Sequence, residues 1–307
     1  MRAILVEQFG GPEVLRVREV PLPQPRSGEV LVRVVSAGVG PWDVAQRQGH
    51  LGTHLPYIPG FECAGTVVGR SGDDAGFHDG QPVYGYIGFG GAYADFAACR
   101  PDRLAPVPMA LALWEAGAAP VDLLTADAGI ADALGVRRGQ KVLVTAAAGG
   151  LGHLAAQLAV SAGAAVIGTA GRDHHDFVHK LGVGEVVDHY DPEWPQRVRD
   201  LVPGGVDAAL STVAATTAGA IAATRDGGVV ATPAPGGEVP AGRRVQLLRY
   251  QGPMDGRRLA RLTPLLAEGA VALVVSSRFD LEDVPAAHGQ IERGHTRGKI
   301  VLSVNDD

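Results

Sequence analysis

The stretch Val142-Leu-Val-Thr-Ala-Ala-Ala-Gly-Gly-Leu-Gly152 has the residue types and spacing of a phosphate-binding loop. Ala147, Gly149 and Gly152 stand at the spacing of the G-x-G-x-x-G pattern, with alanine in the first position. This pattern binds phosphate when it joins a strand to a helix, because the free amides and the dipole of the helix start attract the anion. An apolar strand precedes the loop and a helix-forming run follows it. We therefore predict a dinucleotide site here, with a glycine-rich turn without a ligand as the alternative.

The end of the next predicted strand indicates which dinucleotide is bound. A carboxylate about 20 residues after the loop is typical of NAD sites, but here the strand ends Gly168-Thr-Ala-Gly-Arg172. A guanidinium can hold a 2′-phosphate through two hydrogen bonds, whereas a carboxylate repels it. We predict NADPH as the cofactor, with Arg172 on its 2′-phosphate. The alternative is that Arg172 is an ordinary solvated residue at a helix start.

The composition excludes several classes of protein. The 307 residues include 43 glycines and 21 prolines without a G-X-Y period, which excludes collagen and wholesale disorder. A net charge of −6 and a pI near 5.9 give no overall basic surface, so we expect no nucleic-acid partner. Two cysteines cannot form a disulfide scaffold. We find no signal peptide and no long apolar run, so we expect a cytoplasmic protein without a membrane span.

The order of the predicted elements indicates two domains. The first 110 residues are rich in β-propensity and punctuated by Pro and Gly, with strands predicted at 30–35, 64–69, 83–86 and 92–97. Residues 111–134 are Ala- and Leu-rich and predict helices with a break at Pro120. Strands and helices then alternate, which predicts βαβ units and a parallel sheet. The last strand, 299–304, follows the final helix and is expected to return to the first domain.

Seven segments of the chain occur together in this order: Pro25-x-x-Gly-Glu-Val-Leu-Val-Arg-Val34, Ala37-Gly-Val39, Pro56-Tyr-Ile-Pro-Gly-Phe-Glu62, Gly90-Gly-Ala-Tyr-Ala94, Leu124-Thr-Ala126, Ala146-Ala-Ala-Gly-Gly-Leu-Gly152 and Gly298-Lys-Ile-Val-Leu302. In them the chain resembles a medium-chain dehydrogenase/reductase of the zinc-independent quinone oxidoreductase, or zeta-crystallin-like, branch. The resemblance covers almost the whole chain.

The resemblance implies an α/β fold of two domains with the active site in the cleft between them. A GroES-like, β-rich catalytic domain would comprise residues 1–115 and 270–307. A Rossmann domain with a doubly wound parallel sheet would comprise residues 116–269 and bind NADPH. The resemblance also implies a small-molecule substrate and a homodimer.

The resemblance implies a set of cofactor contacts, residue by residue. Thr125 matches a contact near the nicotinamide, and the segment 148–151 matches the pyrophosphate loop. The adenosine end would be held by residues after two strands, and Lys299 lies in the terminal Gly-Lys-Ile-Val-Leu motif. The complete set of predicted cofactor residues is Thr125, Ala148, Gly149, Gly150, Leu151, Gly171, Arg172, His189, Tyr190, Thr212, Val213 and Lys299.

The chain departs from the family where zinc-dependent relatives bind metal. Their cysteine ligand would fall around Gly38–Gly40, and the histidine of their Gly-His-Glu motif is Phe61, which cannot bind a metal. We predict no metal. A site built from Cys63, Glu62 and a nearby histidine is the alternative, and Cys63 is instead expected to pack in a strand.

The substrate region also departs from the pattern of quinone reductases. Gly40 replaces an Asn and Ala45 a Tyr, while Asp43 is kept. The predicted substrate-lining residues are Gly40, Trp42, Tyr86 and Phe89, because aromatic rings can stack on a flat substrate. Asp43 and Tyr57 are the candidate catalytic residues, with a structural role as the alternative for each.

Three functions are consistent with these residues. The first is NADPH-dependent hydride transfer to a quinone or an α,β-unsaturated carbonyl without zinc. The second is a biosynthetic tailoring enzyme on the same scaffold, acting as an enoyl reductase or a non-redox cyclase, since fold does not fix function. The third is a protein that binds NADPH without turnover.

Overall fold

The computed structural model describes residues 1–72 and 76–306. Its elements follow one another in the order β1 (Arg2–Leu5), β2 (Arg16–Glu19), β3 (Val30–Val39), α1 (Pro41–Arg47), β4 (Glu62–Arg70), β5 (Pro82–Tyr86), β6 (Phe96–Cys99), β7 (Leu104–Pro106), α2 (Leu113–Ala116), α3 (Pro120–Asp127), β8 (Lys141–Val144), α4 (Gly150–Ser161), β9 (Ala165–Ala170), α5 (His175–Lys180), β10 (Glu185–Asp188), α6 (Trp194–Leu201), β11 (Val206–Leu210), α7 (Thr217–Ala223), β12 (Thr224–Thr232), β13 (Gln246–Arg249), α8 (Gly256–Ala267), β14 (Val275–Asp280), α9 (Val284–Arg293) and β15 (Lys299–Ser303).

The chain divides into two compact units. Unit 1 comprises residues 1–121, 254–269 and 273–307, and unit 2 comprises residues 122–253 and 270–272. The predicted boundary at residue 269 differs from this division, because α8 packs with unit 1: the Tyr84 hydroxyl of β5 lies 2.8 Å from that of Thr263 on α8. Tyr84 and Thr263 are 179 positions apart, so the sequence alone does not indicate that α8 packs on β5.

Unit 1 is built on a seven-stranded sheet. Six strands follow one another in the order β14-β15-β3-β4-β5-β7, and β6 pairs with β3. All neighbours are antiparallel except β14 and β15, and β1 and β2 form a separate two-stranded ladder. The valines of β3 at positions 30, 32 and 34 are fully buried because they alternate towards the core. The β-rich fold predicted for the first part is confirmed, although the strand predicted at 92–97 forms instead at Phe96–Cys99.

Unit 2 is a parallel sheet of six strands in the order β10-β9-β8-β11-β12-β13. Counted along the chain within this unit, the order is 3-2-1-4-5-6, the arrangement of a Rossmann fold. The chain reverses direction across the sheet between β8 and β11, so the carboxyl ends of these two strands mark the topological switch point at which such sheets bind their ligands. The predicted doubly wound sheet is confirmed.

Among the described residues, no helix is long and apolar enough to span a membrane.

Candidate active site

The phosphate-binding loop begins where β8 ends and turns into α4. Ala146 has a positive φ of 47°, and Gly149 is the N-cap of α4 without a side chain that caps the helix. A Cβ on Gly152 would lie 2.1 Å from the carbonyl oxygen of Ala146, so only glycine fits there. The first amides of a helix have no acceptor within it. Those of Gly150 and Leu151 therefore form a cradle for an anion, and these residues fit the pyrophosphate of a dinucleotide.

Two threonines fix the loop at the switch point of the sheet. The Thr212 hydroxyl donates to the carbonyl oxygen of Thr145 at 2.8 Å, and the Thr212 amide donates to the Thr145 hydroxyl at 3.1 Å. The loop is also tied to β9, because the Ala146 amide donates to the Thr169 hydroxyl. Nothing in the sequence around Thr145 indicates that this residue joins the ends of β8 and β11.

The predicted cofactor residues of unit 2 gather at one edge of its sheet, with the exception of Thr125 on α3. Gly171 and Arg172 follow β9, His189 and Tyr190 follow β10, and Thr212 and Val213 follow β11. The His189 and Tyr190 rings lie 4.2 Å apart, and a Cβ on Gly171 would lie 3.1 Å from the Tyr190 ring. The parallel strands bring these residues together because their carboxyl ends share an edge.

Arg172 is paired with a carboxylate that the sequence analysis did not connect with it. Its Nε donates to Asp188 Oδ2 at 2.8 Å, while its side chain is 83% exposed. The hydrogen bond from the Tyr190 amide lowers the pKa of Asp188 most, and the contact with Arg172 lowers it further. Asp188 therefore orients the guanidinium and also adds a negative charge beside it. The Asp188 that ends β10 was the available signal for this pair.

Aromatic side chains of unit 1 cluster around Phe61. The Phe61 ring centroid lies 6.5 Å from Trp42, 6.4 Å from Tyr86 and 5.5 Å from Phe89. Three of the four predicted substrate-lining residues thus meet at one residue that the sequence analysis had considered only as an impossible metal ligand. The Arg103 guanidinium lies 5.3 Å from the centroid of Tyr86. We call Trp42, Phe61, Tyr86 and Phe89 the aromatic cluster.

Gly40, the fourth predicted substrate-lining residue, lies directly against the indole of Trp42. A Cβ on Gly40 would lie 2.3 Å from a ring carbon of Trp42. Gly40 has an ordinary extended φ of −135°, so space rather than backbone conformation requires the glycine. The indole therefore occupies the space that a side chain at position 40 would need.

The positions that hold zinc ligands in zinc-dependent relatives are filled with other groups here. A Cβ on Gly38 would lie 2.2 Å from Oε1 of Glu62, and Phe61 is buried in the aromatic cluster. Glu62 accepts the Val121 amide through Oε2 and pairs with Lys299 through Oε1. Cys63 lies buried in β4 as expected. Within residues 1–72 and 76–306, no three His, Cys, Asp or Glu side chains are grouped to hold a metal ion. These residues do not fit zinc.

Lys299, predicted as a cofactor contact, is buried in unit 1. Its Nζ lies 3.2 Å from Oε1 of Glu62 and 5.0 Å from the centroid of the Trp42 ring. The ammonium is thus held between a carboxylate and an aromatic face.

Asp43 is completely buried at the start of α1. Its Oδ2 accepts the Gly40 amide at 2.9 Å, which caps the helix, and Pro41 occupies the first turn. Burial raises the pKa of Asp43 to about 8, and the nearby Glu62 carboxylate acts in the same direction. Asp43 is therefore largely protonated at neutral pH.

Tyr57, the second candidate catalytic residue, has two different surroundings. Its ring and Phe89 line an open groove of about 530 Å³ on unit 1. Its hydroxyl is buried without a hydrogen-bond partner, and burial raises its pKa to about 12, with Asp43 contributing.

Buried polar atoms without partners concentrate around α1. Of ten such side-chain atoms in the described residues, eight belong to Tyr57, His288 and residues of α1. Each would cost about 1–3 kcal/mol if left dry, against a total stability of about 5–15 kcal/mol for a typical protein. These atoms therefore need water or a ligand as hydrogen-bond partners.

Comparison with known proteins gives the family. The family described as "Alcohol dehydrogenase GroES-like domain" matches residues 26–109, and the one described as "Zinc-binding dehydrogenase" matches residues 181–302. Mouse quinone oxidoreductase is 34% identical over 221 residues, which are 70% of this chain and 67% of the mouse protein. The chain belongs to the quinone oxidoreductase branch of the medium-chain dehydrogenase/reductase superfamily.

Solved structures of this superfamily have the same fold over the whole chain. A protein described as an NAD-dependent alcohol dehydrogenase has a TM-score of 0.93 and 32% identity, and the match covers 99% of this chain and 100% of that one. A mycobacterial protein determined in complex with NADPH has a TM-score of 0.90 and 31% identity, with the same coverage. The chain is therefore an oxidoreductase-family protein with an NAD(P)-binding fold.

Proposed function

We propose that this protein is an NADPH-dependent reductase that transfers a hydride to a quinone or an α,β-unsaturated carbonyl without zinc. The observation that carries the substrate class is the aromatic cluster, in which the exposed Phe89 ring packs on the buried Phe61, because aromatic rings can stack on a flat, apolar acceptor. Phe61 and Gly38, in the places of the metal ligands, support a reaction that needs no Lewis acid from the protein. The name of the mouse relative agrees with this acceptor class.

Two features of unit 2 support NADPH as the donor. No carboxylate stands at positions 169–171, at the end of β9, and the Arg172 side chain is 83% exposed. When bound, NADPH supplies the hydride. The chain's residues then hold the pyrophosphate at the start of α4 and the 2′-phosphate at Arg172.

The reaction also needs a proton, and Asp43 carries one. A quinone that accepts a hydride becomes a stabilised phenolate, which water can protonate. An enone becomes a more basic enolate and gains more from a nearby donor. The raised pKa of Asp43 keeps its carboxyl protonated at neutral pH, which supports a role in the second case.

The test is NADPH oxidation with a panel of quinones and enones, followed at 340 nm in parallel with NADH, with Arg172→Ala as a matched variant. Oxidation with at least one acceptor, faster with NADPH, is the expected result. Binding of NADPH with a substrate converted to a product of unchanged mass would identify a cyclase instead. Thermal stabilisation by NADPH with no turnover would identify a binding protein.

We further infer a homodimer in the cytoplasm. Strand β13 lies at an edge of the parallel sheet formed by the described residues, and an edge strand can pair with a second copy of the chain. Light scattering at micromolar concentration tests the dimer, and a monomer there would refute it.

A further inference from the structure

The inner side of α1 faces α9, and the polar groups between the two helices influence one another electrostatically. Burial lowers the pKa of His288 on α9, and the charge of Arg47 lowers it further. Burial raises the pKa of Tyr57, and the charge of Arg47 partly opposes this rise. Burial, and after it the charge of Asp43, raises the pKa of both Tyr57 and Tyr93. We call the space between these five side chains the α1–α9 chamber.

The chamber combines hydrogen-bond donors and acceptors that the protein does not pair. Asp43 Oδ1, Nε and Nη1 of Arg47, the Tyr57 hydroxyl and both ring nitrogens of His288 are buried without partners. Asp43, Arg47 and His288 have no exposed surface. Water both donates and accepts, and a buried water typically has about three polar partners. These atoms supply such partners, whereas an apolar occupant would leave all of them unsatisfied.

At the end of α9 the chamber lies close to solvent. The third guanidinium nitrogen of Arg47, Nη2, donates to Glu292 at the end of α9, and Gln48 donates to the same carboxylate at 3.1 Å. The Glu292 side chain is 31% exposed, so its carboxylate reaches water at the surface. At the inner end, the His288 ring lies edge-on to Tyr93, with centroids 6.0 Å apart.

We propose that the α1–α9 chamber holds ordered water molecules that connect the Asp43 carboxyl with solvent at Glu292 and keep its proton in exchange. Each transfer between oxygen atoms breaks one O–H bond and forms another, each transfer to or from the His288 ring exchanges an O–H bond with an N–H bond, and no oxidation state changes. A proton that leaves Asp43 is thus replaced by one from bulk water, and His288 can relay it as a neutral imidazole by exchanging its protonated nitrogen.

The charged and titratable groups around Asp43 are consistent with a carboxyl that holds one proton. Glu62 on β4 opposes ionisation of Asp43, and Lys299 on β15 favours it. The hydroxyl of Tyr93 is near the carboxyl and lies 3.4 Å from the Gly38 carbonyl oxygen. Burial and Arg47 keep His288 neutral, with a pKa of about 3. If the proposed reductase function holds, on which this use of the chamber rests, the exchanged proton is the one that the enolate takes up.

The exchange is measured by infrared spectroscopy of the full-length protein without substrate. The difference spectrum between the wild type and Asp43→Asn assigns the carbonyl band of the protonated carboxyl, and its shift after transfer into D₂O gives the exchange rate. We expect His288→Phe, which keeps the aromatic contact with Tyr93, to slow this shift by about tenfold or more. Tyr57→Phe is the second variant, and we expect the same slowing. It tests the proposal if His288→Phe does not fold.

The control is Gln290→Leu on the same helix, whose side chain bonds Ser277 rather than the chamber. We expect its exchange rate to equal that of the wild type. Equal rates in the wild type, His288→Phe and Tyr57→Phe would overturn the proposal, as would the absence of a protonated-carboxyl band for Asp43. Because no substrate is used, these results stand whether or not the acceptor panel detects reductase activity.

Discussion

Nζ of Lys299 lies 3.2 Å from Oε1 of Glu62, and both side chains are almost completely buried. The pair joins β15, near the end of the chain, to β4, which is 237 positions earlier. The indole of Trp42 covers the ammonium on another side. The sequence-based assignment of Lys299 to the cofactor stays a prediction, and this ion pair gives the residue a second, structural role.

Lys299→Met is expected to destabilise the protein by about 3–5 kcal/mol, because it leaves the Glu62 carboxylate buried without its counter-charge. Urea denaturation measures this loss. The double variant Glu62→Gln/Lys299→Met should recover part of it, and a double variant no more stable than Lys299→Met would contradict the ion-pair role. If Lys299 also contacts NADPH, the double variant regains stability but not cofactor affinity.

Arg172→Ala is expected to weaken NADPH binding by about tenfold and NADH binding much less, because one charge-assisted contact with a phosphate is lost. Isothermal titration with both cofactors measures the two dissociation constants. Asp188→Asn is the matched variant: it removes the carboxylate that lies beside the guanidinium and should improve NADPH binding over NADH. Equal losses for both cofactors in Arg172→Ala would exclude the role on the 2′-phosphate.

Gly152→Ala is expected to abolish cofactor binding while unit 2 remains folded. Its Cβ would meet the Ala146 carbonyl oxygen at 2.1 Å, so the loop must change shape. Gly184→Ala is the control in the same unit, because its nearest neighbour would be 3.8 Å away. Thermal stabilisation by NADPH reports the difference, and normal stabilisation of Gly152→Ala would show that the loop does not hold the cofactor.

Gly40→Asn is expected to lower kcat/KM for every acceptor, because the new side chain and the Trp42 indole cannot share one space. Trp42→Ala should free that space, so the double variant Gly40→Asn/Trp42→Ala should be more active than Gly40→Asn alone on small quinones. The coupling energy in this cycle is expected to be about 0.5–3 kcal/mol, the range for residues in contact. Additive effects would mean that the two positions act independently.

The stability of the wild type relative to Asp43→Asn is expected to fall as the pH rises from 6.5 to 8. The folded pKa of Asp43 is about 8, against about 3.9 for an unfolded Asp. Between these values the folded state binds one more proton than the unfolded state, so the free energy of unfolding decreases with pH. His288 contributes with the opposite sign, but only between pH 3 and about 6.5.

Urea denaturation of both proteins at four pH values across this window measures the trend. His288→Phe is the companion variant, whose pH dependence above 6.5 should match that of the wild type. A constant difference between the wild type and Asp43→Asn would show that Asp43 is already ionised at pH 6.5.

Local patterns in the sequence determined the Rossmann unit and its loop. The glycine spacing, the apolar strands and the alternating helices act within about 30 residues, and the fold follows from them because each βαβ unit forms from neighbouring segments. The same reasoning identified Arg172, because it follows the second strand of the unit, whereas the resemblance to the family implied His189 and Thr212. The alanine run at 146–148 does not show that Ala146 takes the left-handed conformation, since that depends on contacts with β9.

Only the tertiary structure decided what surrounds these residues. Phe61 becomes the centre of the aromatic cluster, Asp188 pairs with Arg172, and Lys299 pairs with Glu62, although the members of each set lie on different elements of the chain. His288 and Arg47 meet only because α9 folds back onto α1. The pKa of Asp43 depends on its burial and on charges from elements that are far apart in the chain. Residue type and spacing therefore determine the scaffold, while packing determines the chemistry of the site.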